Sequence, residues 1–415
     1  MIEKIITFVI FIACYSLAIS RKIKIAYVSL TAAGLLILFG IISPETVIFK
    51  SIKWDVLGIY WGFMMLSFIF SESGMPEFIA NKIVKNVKKE KYVLFTICSI
   101  TALFSAFMEN VGVVLIIAPI AMEISKKLRS NPFPYIVAIA ISSNAVTTLT
   151  MIADPPAIIL AMETGMKFFD FYWFQNKISI GVITFFGVLA ALLSLLLIFR
   201  KMKKTVHIKE EKIKVDYKPS ILFILSIISI AFLPEFGIRP GLIGLITGFI
   251  SLLIGRKMIK KMIIDFDWNS FFFILGIFVV ISSLEITGLL TDFANWIGGF
   301  GISNASLMLA IIIWVSVLAS SFIDNVPYTI IMIPVCNQFA SIMGVNPFPF
   351  LFGMLIGTGT GGNITPVGAT ANIFACGFLE KKKQKIRLKE YVKISLPFTI
   401  TAVLVSHILL QIIWM

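Results

Sequence analysis

Two short stretches place a carboxylate beside an amide in the middle of long apolar runs. One is Ser105-Ala-Phe-Met-Glu-Asn-Val-Gly112 and the other is Ser320-Ser-Phe-Ile-Asp-Asn-Val-Pro327. The pairs are Glu109-Asn110 and Asp324-Asn325, and a third acid, Asp154, precedes Pro155-Pro156. Ionisable groups in apolar surroundings are costly and are usually kept for function. A carboxylate there is stable when protonated or when a cation compensates it, so it can carry a proton or trade it for Na+. A plainer role is also open to each acid, which is to cap the helix that follows it.

Hydroxyls and amides gather in two further stretches. The first runs Ser142-Ser-Asn-Ala-Val-Thr-Thr148 and the second runs Gly357-Thr-Gly-Thr-Gly-Gly-Asn363, followed by Thr365-Pro366 and Gly368-Ala-Thr-Ala-Asn372. Glycines permit close backbone approach, and hydroxyl, amide and carbonyl oxygens suit an ion or a small polar solute. The candidate site is therefore Glu109, Asn110, Ser143, Asn144, Thr147, Thr148, Asp154, Asp324, Asn325, Thr358, Thr360, Asn363, Thr365, Thr370 and Asn372. A coupling ion, H+ or Na+, is expected rather than an organic cofactor, with Na+ near Asn110, Asn144, Asn325 and Asn363. Glu72, Glu163 and Glu285 lie near span ends, where each can simply reach the interface.

These residues need a membrane frame. Of 415 residues, 58% are hydrophobic, and mean hydropathy is +0.97. Apolar runs of about 20 residues recur along the chain. The class is an all-α polytopic membrane protein. The net charge of +14 sits in short loops, which reads as a topology signal and not as nucleic-acid binding. Cys14, Cys98, Cys336 and Cys376 show neither metal spacing nor pairing, and His207 and His407 have no partner in sequence. The start reads as a retained first span and not as a signal peptide.

Spans are expected at residues 2–20, 25–43, 54–70, 177–198, 220–234, 240–254 and 269–285, with a last one ending at 415. Residues 76–90 read as an amphipathic interfacial helix and residues 289–302 as its poorly charged counterpart. Residues 92–124 have basic residues at both ends, so both ends face inside. That makes a re-entrant hairpin with Glu109-Asn110 at its tip. Residues 305–342 form the second hairpin, tipped by Asp324-Asn325. Residues 134–163 and 349–379 read as spans broken near their centres by the polar and Pro-containing runs.

The halves repeat. Asn325 minus Asn110, Pro334 minus Pro119 and Asn346 minus Asn131 all equal 215. Upstream, Trp54 matches Trp268 at an offset of 214. Each half counts five spans, one discontinuous, plus a hairpin that adds no crossing. Five is odd, so the second half is inverted. The first repeat is 1–199, a basic cytoplasmic linker 200–218, and the second repeat 219–415. Basic loops at 21–24, 82–91, 126–129, 200–218, 256–261 and 381–393 share one side, which puts both termini outside. Inverted repeats with paired broken helices mark a secondary transporter with its site at mid-membrane.

The hairpin and broken-span motifs resemble the ion transporter superfamily with a citrate-transporter-like domain, nearest the ArsB arsenite permease and pink-eyed-dilution (P) protein branch. The resemblance covers nearly the whole chain. Ala153-Asp-Pro-Pro156 is similar to a family Gly-Asp-Pro-Pro-Asn element, and Gly368-Ala-Thr-Ala-Asn372 to Gly-Ala-Ser-Ala-Asn. Ala153 and Ala157 depart from the Gly and Asn of that element, so the first-half site is altered. The dicarboxylate branch carries Ser-Asn-Thr at both tips, whereas this chain carries acids, which argues against a dicarboxylate bound there. The resemblance implies a homodimer and an elevator mechanism, in which hairpins and broken spans carry solute past a scaffold.

The leading expectation is a secondary active carrier, coupled to H+ or Na+, for a small inorganic anion or arsenite-like solute. A Na+/H+ antiporter, a citrate- or dicarboxylate-type carrier and a passive anion channel are the alternatives. An intramembrane enzyme is not expected: no His-Glu-x-x-His, Gly-x-Ser-x-Gly or paired intramembrane Asp motif occurs. No nucleotide-binding loop occurs either, so any ATPase partner is a separate chain.

Overall fold

Helices account for nearly the whole of the computed structural model, which describes residues 2–20, 23–84, 87–205, 213–298, 304–382, 384 and 386–415. The first half runs α1 (Ile2–Ser20), α2 (Ile25–Leu38), α3 (Pro44–Thr46), α4 (Trp54–Glu72), α5 (Met75–Val84), α6 (Glu90–Ser105), α7 (Asn110–Lys127), α8 (Phe133–Asn144), α9 (Pro155–Thr164) and α10 (Ile180–Ile198). The second runs α11 (Tyr217–Phe232), α12 (Pro240–Ile254), α13 (Ile259–Asp265), α14 (Trp268–Ile286), α15 (Leu289–Gly298), α16 (Ala305–Ser320), α17 (Asn325–Met343), α18 (Phe348–Gly361), α19 (Thr370–Lys381) and α20 (Leu388–Trp414). The long elements of the second half follow the order of the first.

Local chemistry sets the boundaries. α9 and α12 open on proline, and α8 and α18 carry proline in their first turn, where the missing N–H costs nothing. Asp216, Asp267 and Asn304 each accept a backbone N–H at the start of α11, α14 and α16. Gly165 and Gly344 close α9 and α17 in the left-handed conformation, at φ 71° and 65°.

Residues 92–124 and 305–342 are each divided into two helices, α6–α7 and α16–α17, and residues 134–163 and 349–379 into α8–α9 and α18–α19, with Glu109 and Asp324 preceding α7 and α17. Six helices among the described residues are long and apolar enough to cross a membrane, or seven if α12 and the bent piece after it are taken as one span. The sequence expects five spans per half; the count is lower because the broken spans are made of 10- to 14-residue pieces, because α2 has 14 residues where a span over 25–43 is expected, and because α1 is not among the six. One of the six, α17, falls within residues 305–342, where the sequence expects a re-entrant hairpin.

Several stretches between the expected spans are ordered. Residues 256–261 form a 3-10 turn, Arg256–Met258, and the start of α13, bent 83° from α12. Residues 44–53 contain α3 and a π-turn, Val47–Ser51. Residues 166–177 contain β1 (Trp173–Phe174), paired antiparallel with β2 (Lys177–Ile178). The interfacial helix is shorter than expected, ending at Val84; residues 85 and 86 lie outside the described residues, as do 21 and 22, 206–212 with His207, 299–303, 383 and 385.

The scaffold packs backbone to backbone. Gly58 and Gly62 of α4 face Gly241 and Gly244 of α12, and a Cβ on Gly62 would stand 1.8 Å from the Gly244 carbonyl oxygen. In α2 and α14, Gly276 presses on Ser29, and the Ala26 N–H donates to Asn269 Oδ1 at 3.2 Å. Within the membrane such small-residue contacts replace the hydrophobic drive between helices. α10 and α20, matched in order, pack antiparallel: Trp414 Nε1 donates to the Ile178 carbonyl at 2.8 Å, and Gly187 faces Ser406.

The base of the first hairpin holds a carboxylate that the sequence hides in a basic run. Glu90 is 2% exposed and accepts the hydroxyls of Ser130 at 2.6 Å and Tyr135 at 2.9 Å. It joins α6 to the α7–α8 turn.

Gly62→Val should therefore cost about 3 kcal/mol, the upper end for overpacking, seen as a lower thermal midpoint of the purified protein. Gly34→Ala is the control: nothing lies within 4 Å of its Cβ position, so stability should hold or rise by up to about 1 kcal/mol.

Candidate functional site

Where a helix breaks inside a membrane, every exposed carbonyl and N–H must find a partner. Both breaks solve this in the same way. Thr150 donates to the Ala106 carbonyl, and Thr365 donates to the Ser321 carbonyl at 2.5 Å. The donors are related by 365 − 150 = 215 and the acceptors by 321 − 106 = 215. Ser105 shares a hydrogen bond with Ser143 at 2.7 Å; its match, Ser320, donates to the carbonyl of Thr358, the match of Ser143, at 2.6 Å. Each hairpin is thereby stitched to the broken span of its own half.

The tips carry the acids as caps. Glu109 Oε2 accepts the Gly112 N–H at 2.9 Å, and Asp324 Oδ1 accepts the Val326 N–H at 3.1 Å. Asp154 precedes α9 in an extended conformation and makes no capping bond. The plainer role is thus filled at both tips but not at the break. Glu109 and Asp154 line one cavity, closed on its far side by Tyr60, Phe63, Met64 and Ser67 of α4. Its volume is about 20 Å³, room for roughly one water.

The amides meet where the halves cross. Asn110 Nδ2 donates to Asn144 Oδ1 at 3.3 Å, and Ser143 Oγ donates to the Asn110 carbonyl at 3.0 Å. Asn363 Nδ2 reaches into the first half and donates to the Ile141 carbonyl at 3.0 Å. Gly359 lies against Thr147, with 2.9 Å from its Cβ position to the threonine Cβ. Asn372 Nδ2 donates to the Gly362 and Thr365 carbonyls at 2.9 and 3.2 Å and so ties off the second break. The Asn325 side-chain amide lies 2.6 Å from the Ser320 hydroxyl oxygen.

Four buried amide atoms here have no hydrogen-bond partner among the described residues: Asn110 Oδ1, Asn144 Nδ2, Asn363 Oδ1 and Asn372 Oδ1. The orientation of Asn363 and Asn372 is fixed, because each must turn its NH2 group to a carbonyl. Their free atoms are therefore acceptors.

Not every sequence candidate joins this centre. Thr148 pairs with Thr184 of α10 at 2.6 Å and links the break to that helix. Thr358 returns its hydroxyl to the Met354 carbonyl at 2.8 Å. Thr370 is exposed at the first position of α19. Thr360 is buried beside Gly359 in the last turn of α18. Glu72 and Glu163 form ion pairs, with Lys261 at 2.7 Å and Lys53 at 3.2 Å. Among the described residues no cluster of three or more His, Cys, Asp or Glu could hold a metal. The sequence reading missed Tyr60, Ser67 and Thr184. Nothing in their apolar helices distinguishes them; only the repeat comparison could have flagged the first two.

Hairpins and broken spans meeting around a polar centre define a polytopic membrane transporter, a carrier and not an enzyme. The chain belongs to the citrate transporter family (CitMHS), whose profile matches residues 15–357. It is 26% identical over 418 residues to an uncharacterized transporter of Mycobacterium tuberculosis, covering 98% of each chain. It is 24% identical over 484 residues to the P protein of Homo sapiens, covering 92% of this chain and 57% of that one. The crystal structure of the YdaH transporter of Alcanivorax borkumensis, described as having an unusual topology, shares the fold: TM-score 0.61, 13% identity and 98% of each chain.

Thr150→Val and Thr365→Val should each lower stability by about 1–3 kcal/mol, because each strands a buried tip carbonyl. Thr370→Val should stay within about 0.5 kcal/mol. Thermal unfolding of the three purified variants checks this.

Proposed function

We propose that the chain is a secondary active transporter, coupled to H+ or Na+, that moves a small inorganic anion or arsenite-like solute. The observation that carries this reading is the pair of fixed, buried acceptors, Asn363 Oδ1 and Asn372 Oδ1. A buried acceptor without a donor costs about 1–3 kcal/mol. A solute that bears hydroxyls removes that cost. Arsenite near neutral pH is such a solute, an uncharged acid, and an oxyanion fits best in its protonated form. A dicarboxylate brings only acceptors, and the fifteen candidate residues include no Lys or Arg to meet it.

The same oxygens also suit Na+, and this favours the second reading, a Na+/H+ antiporter, with Na+ near Asn110, Asn144, Asn325 and Asn363. A citrate- or dicarboxylate-type carrier and a passive channel remain outcomes of the test below.

In this reading residues 1–199 and 219–415 are inverted repeats joined by a basic cytoplasmic linker. The antiparallel packing of α10 on α20 supports the inversion. Hairpins and broken spans move as an elevator against the scaffold of α2, α4, α12 and α14, whose backbone contacts make it rigid. The protein is a homodimer in the cell's inner or plasma membrane, with both termini outside. Any ATPase subunit is a separate chain.

The test is purified protein in liposomes loaded with a pH-sensitive dye, with arsenite, Na+ and a dicarboxylate added in turn. Proton flux with arsenite, reduced about tenfold or more by Asn372→Leu, is the expected result. Flux with Na+ alone gives the antiporter. Flux with the dicarboxylate alone overturns both, and arsenite uptake indifferent to the pH gradient gives a channel.

A further inference from the structure

We propose that the chain carries one proton site, built only in its first repeat: the cavity between Glu109, Asp154 and the polar face of α4. It is separate from the asparagine centre that receives the solute. This rests on the reading of the chain as an ion-coupled carrier, and it narrows that reading from two acid tips to one.

The internal repeat supplies the argument. Four polar groups line the cavity: Glu109, Asp154, Tyr60 and Ser67. Applying the offset of 215 for the tip and break, Glu109 matches Asp324 but Asp154 matches Ala369 (154 + 215 = 369). Applying the offset of 214 for the scaffold span, Tyr60 matches Ile274 (60 + 214) and Ser67 matches Ile281 (67 + 214). Three of the four polar positions are thus apolar in the second repeat. The three losses fall on two different elements, a break and a scaffold helix, that meet at this cavity. Drift at scattered positions would not remove the polar groups of one cavity together. The second repeat retains only the acid that caps its own helix.

The cavity has the contents a proton site requires. Ser67 is 5% exposed and lines it, and its hydroxyl has no hydrogen-bond partner among the described residues. Its free hydroxyl and the 20 Å³ of space point to one guest of water size. No Lys or Arg lines the cavity. The other charged groups in electrostatic reach are Asp267, at the start of α14, and Asp324, at the second tip, both acidic. Two carboxylates that line one small cavity with no basic side chain are not both stable in the charged form without a cation. A proton brought by water and held between Glu109 and Asp154 meets that need, and it returns to water when the cavity opens. Glu109 remains the cap of α7 in either state, so the hairpin keeps its shape. Because α4 belongs to the scaffold, the cavity opens whenever the tip and break slide past it. Proton release is thereby tied to the movement that carries the solute.

The test needs no solute. Infrared difference spectra of the full-length protein in liposomes, taken across a pH titration, report protonated buried carboxyls. The expected result is one titrating carboxyl band that disappears in Asp154→Asn and survives in Asp324→Asn. Tyr60→Phe and Ser67→Ala, which remove little volume, should keep the band. In the proposed site these hydroxyls hold the water that joins the two carboxylates, so losing one destabilises the charged pair and the midpoint should move upward by about one pH unit, tenfold in proton affinity. A band that survives Asp154→Asn overturns the proposal, as does one that disappears in Asp324→Asn. An unmoved midpoint in both α4 variants overturns the role of α4. Since the spectra are independent of transport, they can fail while the solute reading stands, and the reverse.

Discussion

Everything near the middle of this membrane protein depends on one constraint: a broken helix must hydrogen-bond its loose backbone without water. The chain meets it with paired stitches, Thr150 to the Ala106 carbonyl and Thr365 to the Ser321 carbonyl, reinforced by Ser105 and Ser320. These bonds fasten each hairpin to a broken span and fix where the two tips stand. The asparagines are then free for a second purpose. Asn363 crosses to the first half and Asn372 ties off the second break, yet each keeps an acceptor oxygen without a donor. Stability comes from the hydroxyls and carbonyls, and in the proposed reading function is left to the amide oxygens and the acids.

The matched contacts serve architecture, and in the proposed reading the departures from them serve chemistry. α4 on α12 and α2 on α14 make equivalent close contacts through small residues, and both breaks use the same stitch. By contrast Asp154 has Ala369 as its match in the second repeat, and Asn372 corresponds to Ala157. A two-fold frame with one-sided polar groups can hold a proton on one side and a solute at the crossing.

Much of this was legible in the sequence, and for definite reasons. Proline, glycine, asparagine and acids are rare inside apolar runs, so Asn131-Pro-Phe-Pro and Asn346-Pro-Phe-Pro at one fixed offset mark matched stretches of the two halves, and α8 and α18 begin there. Other features leave no such mark. Tyr60 and Ser67 lie in an ordinary apolar span, and only the fold turns them toward Asp154. Glu90 is hidden among Lys88, Lys89 and Lys91, although it is buried by Ser130 and Tyr135. Whether an acid caps a helix or merely sits near one is settled by a single side-chain torsion, which spacing does not encode.

The account turns on what the amide oxygens at the crossing accept. The most direct measurement is titration calorimetry of arsenite and of a dicarboxylate into the purified protein, with Asn363→Leu as the comparison. The account predicts heat of binding for arsenite, weakened about tenfold or more in the variant, and none for the dicarboxylate. Binding of the dicarboxylate with none of arsenite would contradict it.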